Sequence, residues 1–176
     1  ANFTPMLTRI QNADVDSMFI TTSLNGIALI MKQYHELGME KEVFITSGMS
    51  AEKLMKLAGK DLLEGAYFFS RYVPTSPPPG TEDMNRKMLK LYNEMHPDDT
   101  PDTCVASGFD AVHIMARAID RAGSLDPQSI RNALAETDYL GLMGRNNFDE
   151  TGHSQPRCSI TQIQDGVNKV IHVLHQ

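Results

Sequence analysis

Three short apolar stretches alternate with two amphipathic segments in the first 73 residues, and this alternation restricts the fold more than any other feature. The stretches SMFITTS, EVFITSG and GAYFFSRYV are rich in β-branched and aromatic residues and do not alternate apolar with polar positions. Such runs indicate strands that are covered on both faces. Strand, helix, strand, helix, strand at this spacing predicts right-handed crossovers, and therefore an α/β fold with a parallel open sheet flanked by helices.

The first helix between these strands has its apolar residues at helical spacing. Ile27, Ile30, Met31 and Tyr34 recur at intervals of three and four residues, and Gly38 stands where a left-handed C-terminal cap belongs. These features predict an amphipathic helix whose apolar side packs on the sheet.

The second helix is predicted over residues 51–58. Ser50 is its expected N-cap, and Leu54, Leu57 and Ala58 are expected to face inward. A further helix opens the chain, where Thr4 is the expected N-cap because Pro5 suits the first helical position. Its apolar face needs a sheet beneath it, although the first predicted strand comes only afterwards.

Composition changes at PTSPPPG, where prolines and a glycine exclude both a helix and a central strand. After this connection, helices are predicted from Thr81 to about Met95, from about Thr103 to Ala122, and from Asp126 onward. A strand and a turn are predicted in MGRNNFDETGHSQP. Alternation on both sides of Asp165-Gly166 then predicts a C-terminal β-hairpin.

Bulk properties exclude several classes of protein. A formal net charge of −6 and a pI near 5.4 argue against nucleic acid as a partner, because phosphate binding needs clustered Lys and Arg. The longest apolar runs are far shorter than the roughly 20 residues of a membrane span. Neither phosphate-binding glycine motif occurs, and the two cysteines have no metal-site spacing, so they are expected to be buried or partly buried thiols.

Candidate catalytic groups have simpler structural explanations. Ser50 and Lys53 fit the S-x-x-K pattern of acyl-transfer enzymes, but Ser50 is already assigned as a cap and the companion motifs are missing. Asp110 and His113 lie one helical turn apart and can form a hydrogen-bonded structural pair. The sequence therefore predicts no catalytic residue, no metal site and no cofactor.

A binding site is predicted at one edge of the sheet. Ligands of open parallel sheets bind at the carboxyl ends of the strands, and here two of those ends are short, polar and followed by a helix N-terminus. The candidate ligand-binding residues are Ser23, Leu24, Asn25, Ser47, Gly48 and Met49. The alternative is a pair of ordinary strand-to-helix loops with capping serines.

The order of several segments gives a resemblance to a known family. FTPMLTRI, ALIMKQYHELG, FITSGMS, KLAGKDLLEGAYF, PDTCVASGFDAVHIMARAIDRAG, DPQSIRNALAET and FDETGH follow one another along the chain. This succession resembles the type I periplasmic solute-binding proteins of branched-chain amino acid (Leu/Ile/Val-binding) ABC transporters. It covers essentially the whole chain.

The resemblance implies a two-lobed, non-enzymatic binding protein with a ligand cleft between its lobes. Residues 1–74 are then expected to belong to the second lobe, residues 75–155 to carry helices and a hairpin of the first lobe, and residues 156–176 to return to the second. The chain would correspond to the C-terminal half of a longer, periplasmic or otherwise extracytoplasmic protein. Its partners would be a small-molecule ligand and the membrane permease of an ABC transporter.

The resemblance also bears on the ligand. Ser23 stands where leucine-type binders often have an aromatic residue, and Ser47 or Gly48 stands where they have an acidic residue for the ammonium group. An amino acid, an amide or a carboxylate therefore remains open as the ligand. Alternatives are a ligand-sensing regulatory or receptor domain of the same fold and, less favoured, a serine hydrolase.

Apolar helix stripes lead to one more expectation. Met84, Met88 and Leu91 form such a stripe, and the helix that ends at Ala122 carries another. Without the sheet of the first lobe these stripes lack cover, since burying each large apolar side chain stabilises a fold by about 1.5 to 3 kcal/mol. Self-association of the chain, or repacking onto the remaining sheet, is expected.

Overall fold

The computed structural model describes residues 1–46, 50–155 and 157–174. The chain divides into two compact units, which are Ala1–Ser70 with Ser159–His172 (unit 1) and Arg71–Cys158 with Val173–Gln176 (unit 2). In chain order the helices and strands are α1 (Thr4–Gln11), β1 (Ser17–Ile20), α2 (Leu24–Glu36), β2 (Glu42–Thr46), α3 (Ala51–Ala58), β3 (Tyr67–Ser70), α4 (Glu82–Met95), α5 (Thr103–Ala122), α6 (Pro127–Ala135), β4 (Asp138–Gly141), β5 (Gly144–Asn147), β6 (Ser159–Gln164) and β7 (Val167–Val173). A short 3-10 helix at Asp61–Leu63 precedes β3.

Unit 1 contains a five-stranded sheet in the order β1-β2-β3-β6-β7. β1, β2 and β3 run parallel, as predicted, whereas β6 pairs antiparallel with β3. The sheet is therefore mixed. The predicted hairpin joins β6 to β7 through Asp165 and Gly166, whose positive φ angles of 57° and 68° fit a two-residue turn.

One face of this sheet carries the core of unit 1. Alternate residues of the strands point into it, and the helices cover it with their apolar sides. Its fully buried members include Leu7, Ile27, Ile45, Leu54, Leu63 and Ile163. Ile27, Ile30, Met31 and Tyr34 of α2 are all buried, which confirms the predicted stripe.

The other face of the sheet is open, so the prediction of strands covered on both faces is wrong. Phe19 is 63% exposed, and Phe44, Tyr67 and Phe69 are half-buried. The rings shield one another instead, because Phe19 stacks on Phe44 at 5.0 Å and Phe44 stacks on Tyr67 at 4.8 Å between ring centroids. An apolar run without alternation does not distinguish this arrangement from burial by helices.

Helix starts in unit 1 differ slightly from the sequence analysis. The N-cap of α1 is Phe3 rather than Thr4, and the Thr4 N–H donates to Oδ1 of Asn2. Ser50 caps α3 as predicted, because its Oγ accepts the Lys53 N–H at 3.1 Å. Leu57, expected to face inward, is half exposed; Met55 is buried instead. Leu54 and Ala58 pack on the core as predicted, so the inward face of α3 differs from the predicted one only in including Met55 in place of Leu57.

Unit 2 consists of α4, α5, α6 and the β4–β5 hairpin. Its buried apolar cluster contains Tyr72, Met88, Ala106, Leu142 and Met143. The predicted helix from Thr103 to Ala122 is confirmed, and Gly123 caps its end in the left-handed region. β4 was not predicted, and β5 lies within the predicted strand.

The apolar stripe of α4 is only partly covered. Met88 is buried and Met84 is half-buried, whereas Leu91 and Met95 are exposed. Thr81 occupies the N-cap position but makes no capping bond, because its hydroxyl donates to the Pro78 carbonyl at 2.7 Å.

Asp110 is buried, and its carboxylate binds the turn of the β4–β5 hairpin instead of the His113 ring. Its carboxylate accepts the backbone N–H groups of Leu142 at 2.9 Å and Met143 at 2.8 Å. Nδ1 of His113 lies 2.9 Å from the Phe109 carbonyl instead. The expected Asp110–His113 hydrogen bond is therefore wrong, since the turn of the hairpin offers the carboxylate two donors. Both cysteines are free, and Cys104 is exposed rather than buried.

Candidate functional site

The carboxyl ends of β1 and β2 lie side by side. Ile20 pairs with Ile45 in the parallel ladder, so the next residues of the two strands are also neighbours. The hydroxyl groups of Thr21 and Thr46 hydrogen bond to each other at this point. This bond ties together the two strand ends that lead into the candidate loops.

Ser23 is exposed and caps α2, with its Oγ accepting the Gly26 N–H at 3.3 Å. Gly26 is needed for this arrangement. A Cβ at Gly26 would lie 2.8 Å from Cγ2 and 2.9 Å from Oγ1 of Thr22, and 3.3 Å from the Ser23 oxygen. The absence of a side chain at Gly26 therefore lets the Thr22 and Ser23 side chains lie over the first turn of α2.

The predicted site residues do not all lie together. Ser23 lies at the strand ends, beside the hydroxyls of Thr21 and Thr22. Leu24 is half-buried and packs against the core of unit 1. Asn25 lines a cleft of about 270 Å³ between α2 and α3, together with Lys32. The other three predicted residues, Ser47, Gly48 and Met49, lie outside the described residues.

Sequence reasoning missed the threonines as side chains of the site. The signal was present, because the tripeptide Phe-Ile-Thr occurs at residues 19–21 and again at residues 44–46. Two parallel strands with the same ending, in the register observed here, place the two threonines opposite each other. The Thr21–Thr46 bond thus follows from a short repeat in the sequence and the register of the two strands.

The described side chains at the carboxyl ends of β1 and β2 are uncharged. Thr21, Thr22, Ser23 and Thr46 offer hydroxyl groups, and the first turn of α2 contains no acidic residue. The first backbone N–H groups of a helix have no partner within it and carry a partial positive charge. This edge can therefore donate hydrogen bonds to a carboxylate or a carbonyl oxygen, and it contributes no anion that would hold an ammonium group.

The groups considered for catalysis are engaged elsewhere. The Ser50 oxygen accepts a backbone N–H of α3, as an N-cap does, and Asp110 binds the hairpin of unit 2. Burial raises the pKa of Asp110, and the hydrogen bonds that it accepts from two backbone N–H groups oppose that shift.

Among residues 1–46, 50–155 and 157–174, no group of three His, Cys, Asp or Glu side chains is placed to hold a metal ion. Over the same residues, no helix is long and apolar enough to cross a membrane.

Comparison with known proteins gives the family to which this α/β fold belongs. The sequence model of the periplasmic binding protein family matches residues 1–167. The chain therefore belongs to the periplasmic binding protein family. The resemblance to its branched-chain amino acid members, and the α/β fold with a helix-flanked sheet, are confirmed.

Individual relatives agree with this assignment. A leucine-, isoleucine-, valine-, threonine- and alanine-binding protein of Pseudomonas aeruginosa is 22% identical over 151 residues, which cover 86% of this chain and 39% of that protein. The crystal structure of the leucine-binding protein LivK from Thermotoga maritima matches with a TM-score of 0.84 and 26% identity, over 99% of this chain and 49% of that one. A solute-binding protein from R. palustris, in complex with benzoate, matches with a TM-score of 0.77 and 15% identity, over 97% and 46% of the two chains. The chain thus spans less than half the length of these proteins.

Proposed function

We propose that this chain belongs to the substrate-binding component of an ABC importer, an extracytoplasmic protein that captures a small polar metabolite and does not transform it. Residues 1–74 and 156–176 contribute to one lobe of that protein in this proposal, and residues 75–155 contribute to the other. The permease of the importer is the proposed protein partner. The observation that carries the proposal is the family match over residues 1–167.

The proposed ligand is an amino acid or a small organic acid that presents its carboxylate to the edge formed by β1 and β2. Thr22 and Ser23 hydroxyls and the N-terminus of α2 supply donors there, and the Thr21–Thr46 bond holds the two strand ends together. Relatives whose names give leucine and benzoate as ligands support a carboxylate as the shared chemistry. Ser47, Gly48 and Met49 belong to the same proposed site.

Calorimetry tests this proposal with a panel of branched-chain and small amino acids, their amides, and aromatic and aliphatic carboxylates. The proposal expects the chain to bind at least one carboxylate and to bind the matching amide more weakly. Thr22→Val removes a hydroxyl without changing the shape of the side chain, and should weaken binding by about 10- to 150-fold, since a hydrogen bond to a charged group contributes roughly 1.5 to 3 kcal/mol.

Thr75→Val is the matched control, because Thr75 is also exposed but lies in the proline-rich connection of unit 2. It should leave affinity unchanged. If no compound of the panel binds, or if both variants weaken binding equally, the proposed ligand class and site are wrong.

A further inference from the structure

The acidic side chains of unit 1 are concentrated at one edge of its sheet. β1, β2 and β3 are parallel, so their amino ends lie at one edge and their carboxyl ends at the opposite edge. With the exception of Glu52, the acidic residues of unit 1 precede or begin these strands, end the helix that returns to the amino edge, or stand in the β6–β7 turn; they are Asp14, Asp16, Glu36, Glu40, Glu42, Asp61, Glu64 and Asp165.

Hydrogen bonds confirm that several of these residues share the amino edge. The Glu42 N–H donates to the Asp16 carbonyl at 3.0 Å, where β1 and β2 begin. The Glu64 carboxylate accepts the Asp165 N–H at 2.8 Å, so the turn between β6 and β7 lies at this edge as well. Lys41 adds a positive charge there, and its ammonium group donates to backbone carbonyls. The amino edge is therefore acidic on balance.

The carboxyl edge at β1 and β2 carries no acidic side chain among its described residues. Residues 21–25 and 46–51, which lead from these strands into α2 and α3, contain no Asp, Glu, Lys or Arg. In the first turn of α3, Glu52 accepts the Asn168 amide at 3.3 Å and Lys53 adds a positive charge. Asn168 belongs to β7, which is separated from β2 by β3 and β6, so Glu52 is directed away from the ends of β1 and β2.

The acidic edge is too distant to neutralise a cation at the carboxyl edge. β1 has four residues and β2 has five. At about 3.3 Å per residue, the two edges are therefore about 13 to 16 Å apart. The Debye length at physiological ionic strength is about 8 Å, and exposed charges that are farther apart are largely screened. A positive group at the carboxyl edge thus gains little from the carboxylates of the other edge.

A positive group at the carboxyl edge also meets the N-terminus of α2. The Ser23 Oγ accepts the Gly26 N–H, and the N–H groups of Leu24 and Asn25 have no acceptor within the helix. A helix N-terminus carries about half a positive charge, which stabilises a nearby anion and destabilises a nearby cation. In an α-amino acid the ammonium group stands one carbon away from the carboxylate. A carboxylate bound here therefore brings its ammonium group to the same N-terminus.

We infer that this edge of the chain selects carboxylates that lack an ammonium group over the corresponding α-amino acids. The inference rests on the proposed function, because it narrows the ligand class of the same site. The hydroxyl groups of Thr22 and Ser23 and the N-terminus of α2 favour the carboxylate, whereas the described side chains of this edge give an ammonium group no anionic partner. Removal of the ammonium group from a ligand should therefore tighten binding by about two- to fivefold.

Calorimetry with the 176-residue chain tests this inference on pairs of ligands that differ only in the ammonium group. The pairs are leucine with isocaproate, phenylalanine with hydrocinnamate, and alanine with propionate. We expect the dissociation constant of each acid to be about two- to fivefold lower than that of its amino acid. Isopentylamine, which has the ammonium group of leucine without its carboxylate, should bind at least about tenfold more weakly than isocaproate.

Ser23→Asp places an anion at this edge and keeps a side-chain acceptor for the cap of α2, because Asp and Ser are similarly favoured at that position. The new carboxylate repels a bound acid and attracts an ammonium group, so the preference for isocaproate over leucine should disappear or reverse. Ser124→Asp in unit 2 is the matched control. Ser124 is also exposed, and its Oγ accepts the Asp126 N–H at 3.0 Å. This variant adds the same charge and should leave the preference unchanged.

The outcomes separate this inference from the proposed function. If the amino acid of any pair binds as tightly as its acid or more tightly, the inference is wrong and a carboxylate site still stands. If no member of the pairs binds, the proposed ligand class fails as well.

The variants give a second, independent criterion. Circular dichroism first establishes that both of them fold. A preference for isocaproate that Ser23→Asp leaves unchanged, or that Ser124→Asp alters as much, contradicts the inference, because charge at the ends of β1 and β2 then does not determine the selectivity.

Discussion

The two units of this chain are stabilised in different ways. Unit 1 buries a large aliphatic cluster between one face of its sheet and the helices. Among the described residues of unit 2, the buried apolar cluster is smaller, and the unit also buries Thr81, Asn85, Asp110, Thr137 and Arg157. Buried polar side chains are therefore a larger part of the interior of the second unit than of the first.

The difference shows how a unit without a large sheet keeps a defined structure. The Tyr72 hydroxyl donates to Oδ1 of Asn85 at 2.6 Å, and the Asn85 amide donates to the Pro74 carbonyl at 2.9 Å. Arg157 donates to the Ser76 carbonyl at 2.6 Å. These bonds connect the proline-rich connection to a helix and to the segment that follows the hairpin. Because buried polar groups are costly when unpaired, they select one arrangement where apolar packing alone would allow several.

The largest expected effect is a cavity in the core of unit 1. Ile45 is fully buried, so Ile45→Ala should lower the free energy of unfolding by about 2 to 5 kcal/mol through lost apolar contact and the cavity left behind. Leu57→Ala is the control, because Leu57 is half exposed, and it should change stability by less than about 1 kcal/mol. Urea denaturation of both variants gives the comparison. Equal losses would show that unit 1 does not depend on this face.

Removal of the Asp110 carboxylate should have the next largest effect, in unit 2. Asp110→Ala leaves the N–H groups of Leu142 and Met143 without an acceptor, which should cost about 2 to 4 kcal/mol. His113→Gln is the control, because the His113 ring does not bond to Asp110 in the structure, and it should cost much less. A larger loss in the His113 variant would restore the pairing that the sequence analysis expected.

Asp110 also gives the stability of the chain a pH dependence of unusual sign. Burial raises the pKa of Asp110, so between the unfolded and the folded pKa the folded chain binds more protons than the unfolded chain. The stability that protonation of Asp110 contributes is therefore fully present below its unfolded pKa, and it is lost as pH rises through its folded pKa. The difference in unfolding free energy between the unchanged chain and Asp110→Asn should fall with rising pH in that window; a difference that rises would contradict the direction of the shift.

A smaller effect is expected from a single hydroxyl of unit 2. Tyr72→Phe removes the donor to Oδ1 of Asn85, which is buried, and should cost about 1 to 3 kcal/mol. Tyr67→Phe, on the open face of unit 1, is the matched control and should be close to neutral. Thermal unfolding of the two variants measures the difference. Similar melting temperatures would mean that the Tyr72–Asn85 hydrogen bond does not stabilise unit 2.

The smallest expected effect is the loss of a helix cap in unit 1. Ser50→Ala removes the acceptor of the Lys53 N–H and should cost about 1 kcal/mol, without any loss of an enzymatic activity. Ser50→Asp keeps an acceptor at the cap and should restore most of the stability. If the unchanged chain hydrolyses acyl esters and Ser50→Ala abolishes that activity, the serine hydrolase alternative would be supported instead.

The fold could be predicted from the sequence where a local signal and the tertiary structure agree. The stripe of α2, the end of α5 at Ala122 and the Asp165-Gly166 turn each depend on near neighbours in the chain, and the structure confirms each of them. The open face could not be predicted, because the pattern around Phe19 gives the strand but not what covers it. The burial of Met55 in place of Leu57 likewise depends on how α3 lies on the sheet.

The candidate site was predictable at the level of the strand ends but not of the individual side chains. The position of Ser23 at a helix N-terminus follows from the local sequence, whereas Thr21 and Thr46 meet only through the register of two strands. Asp110 was paired with His113 because they are one turn apart in sequence, but its actual partners are 32 and 33 residues away. Contacts that depend on such distant segments are not visible in a local pattern.

The most direct test of the central claim, that this chain binds a small carboxylate at the ends of β1 and β2, is an NMR titration that follows backbone amide signals. The account predicts that a carboxylate which binds in calorimetry shifts the amides of Thr21, Thr22, Ser23 and Thr46 in a saturable manner, and leaves the amides around the β4–β5 hairpin unchanged. Saturable shifts confined to unit 2, or none at the strand ends, would contradict it.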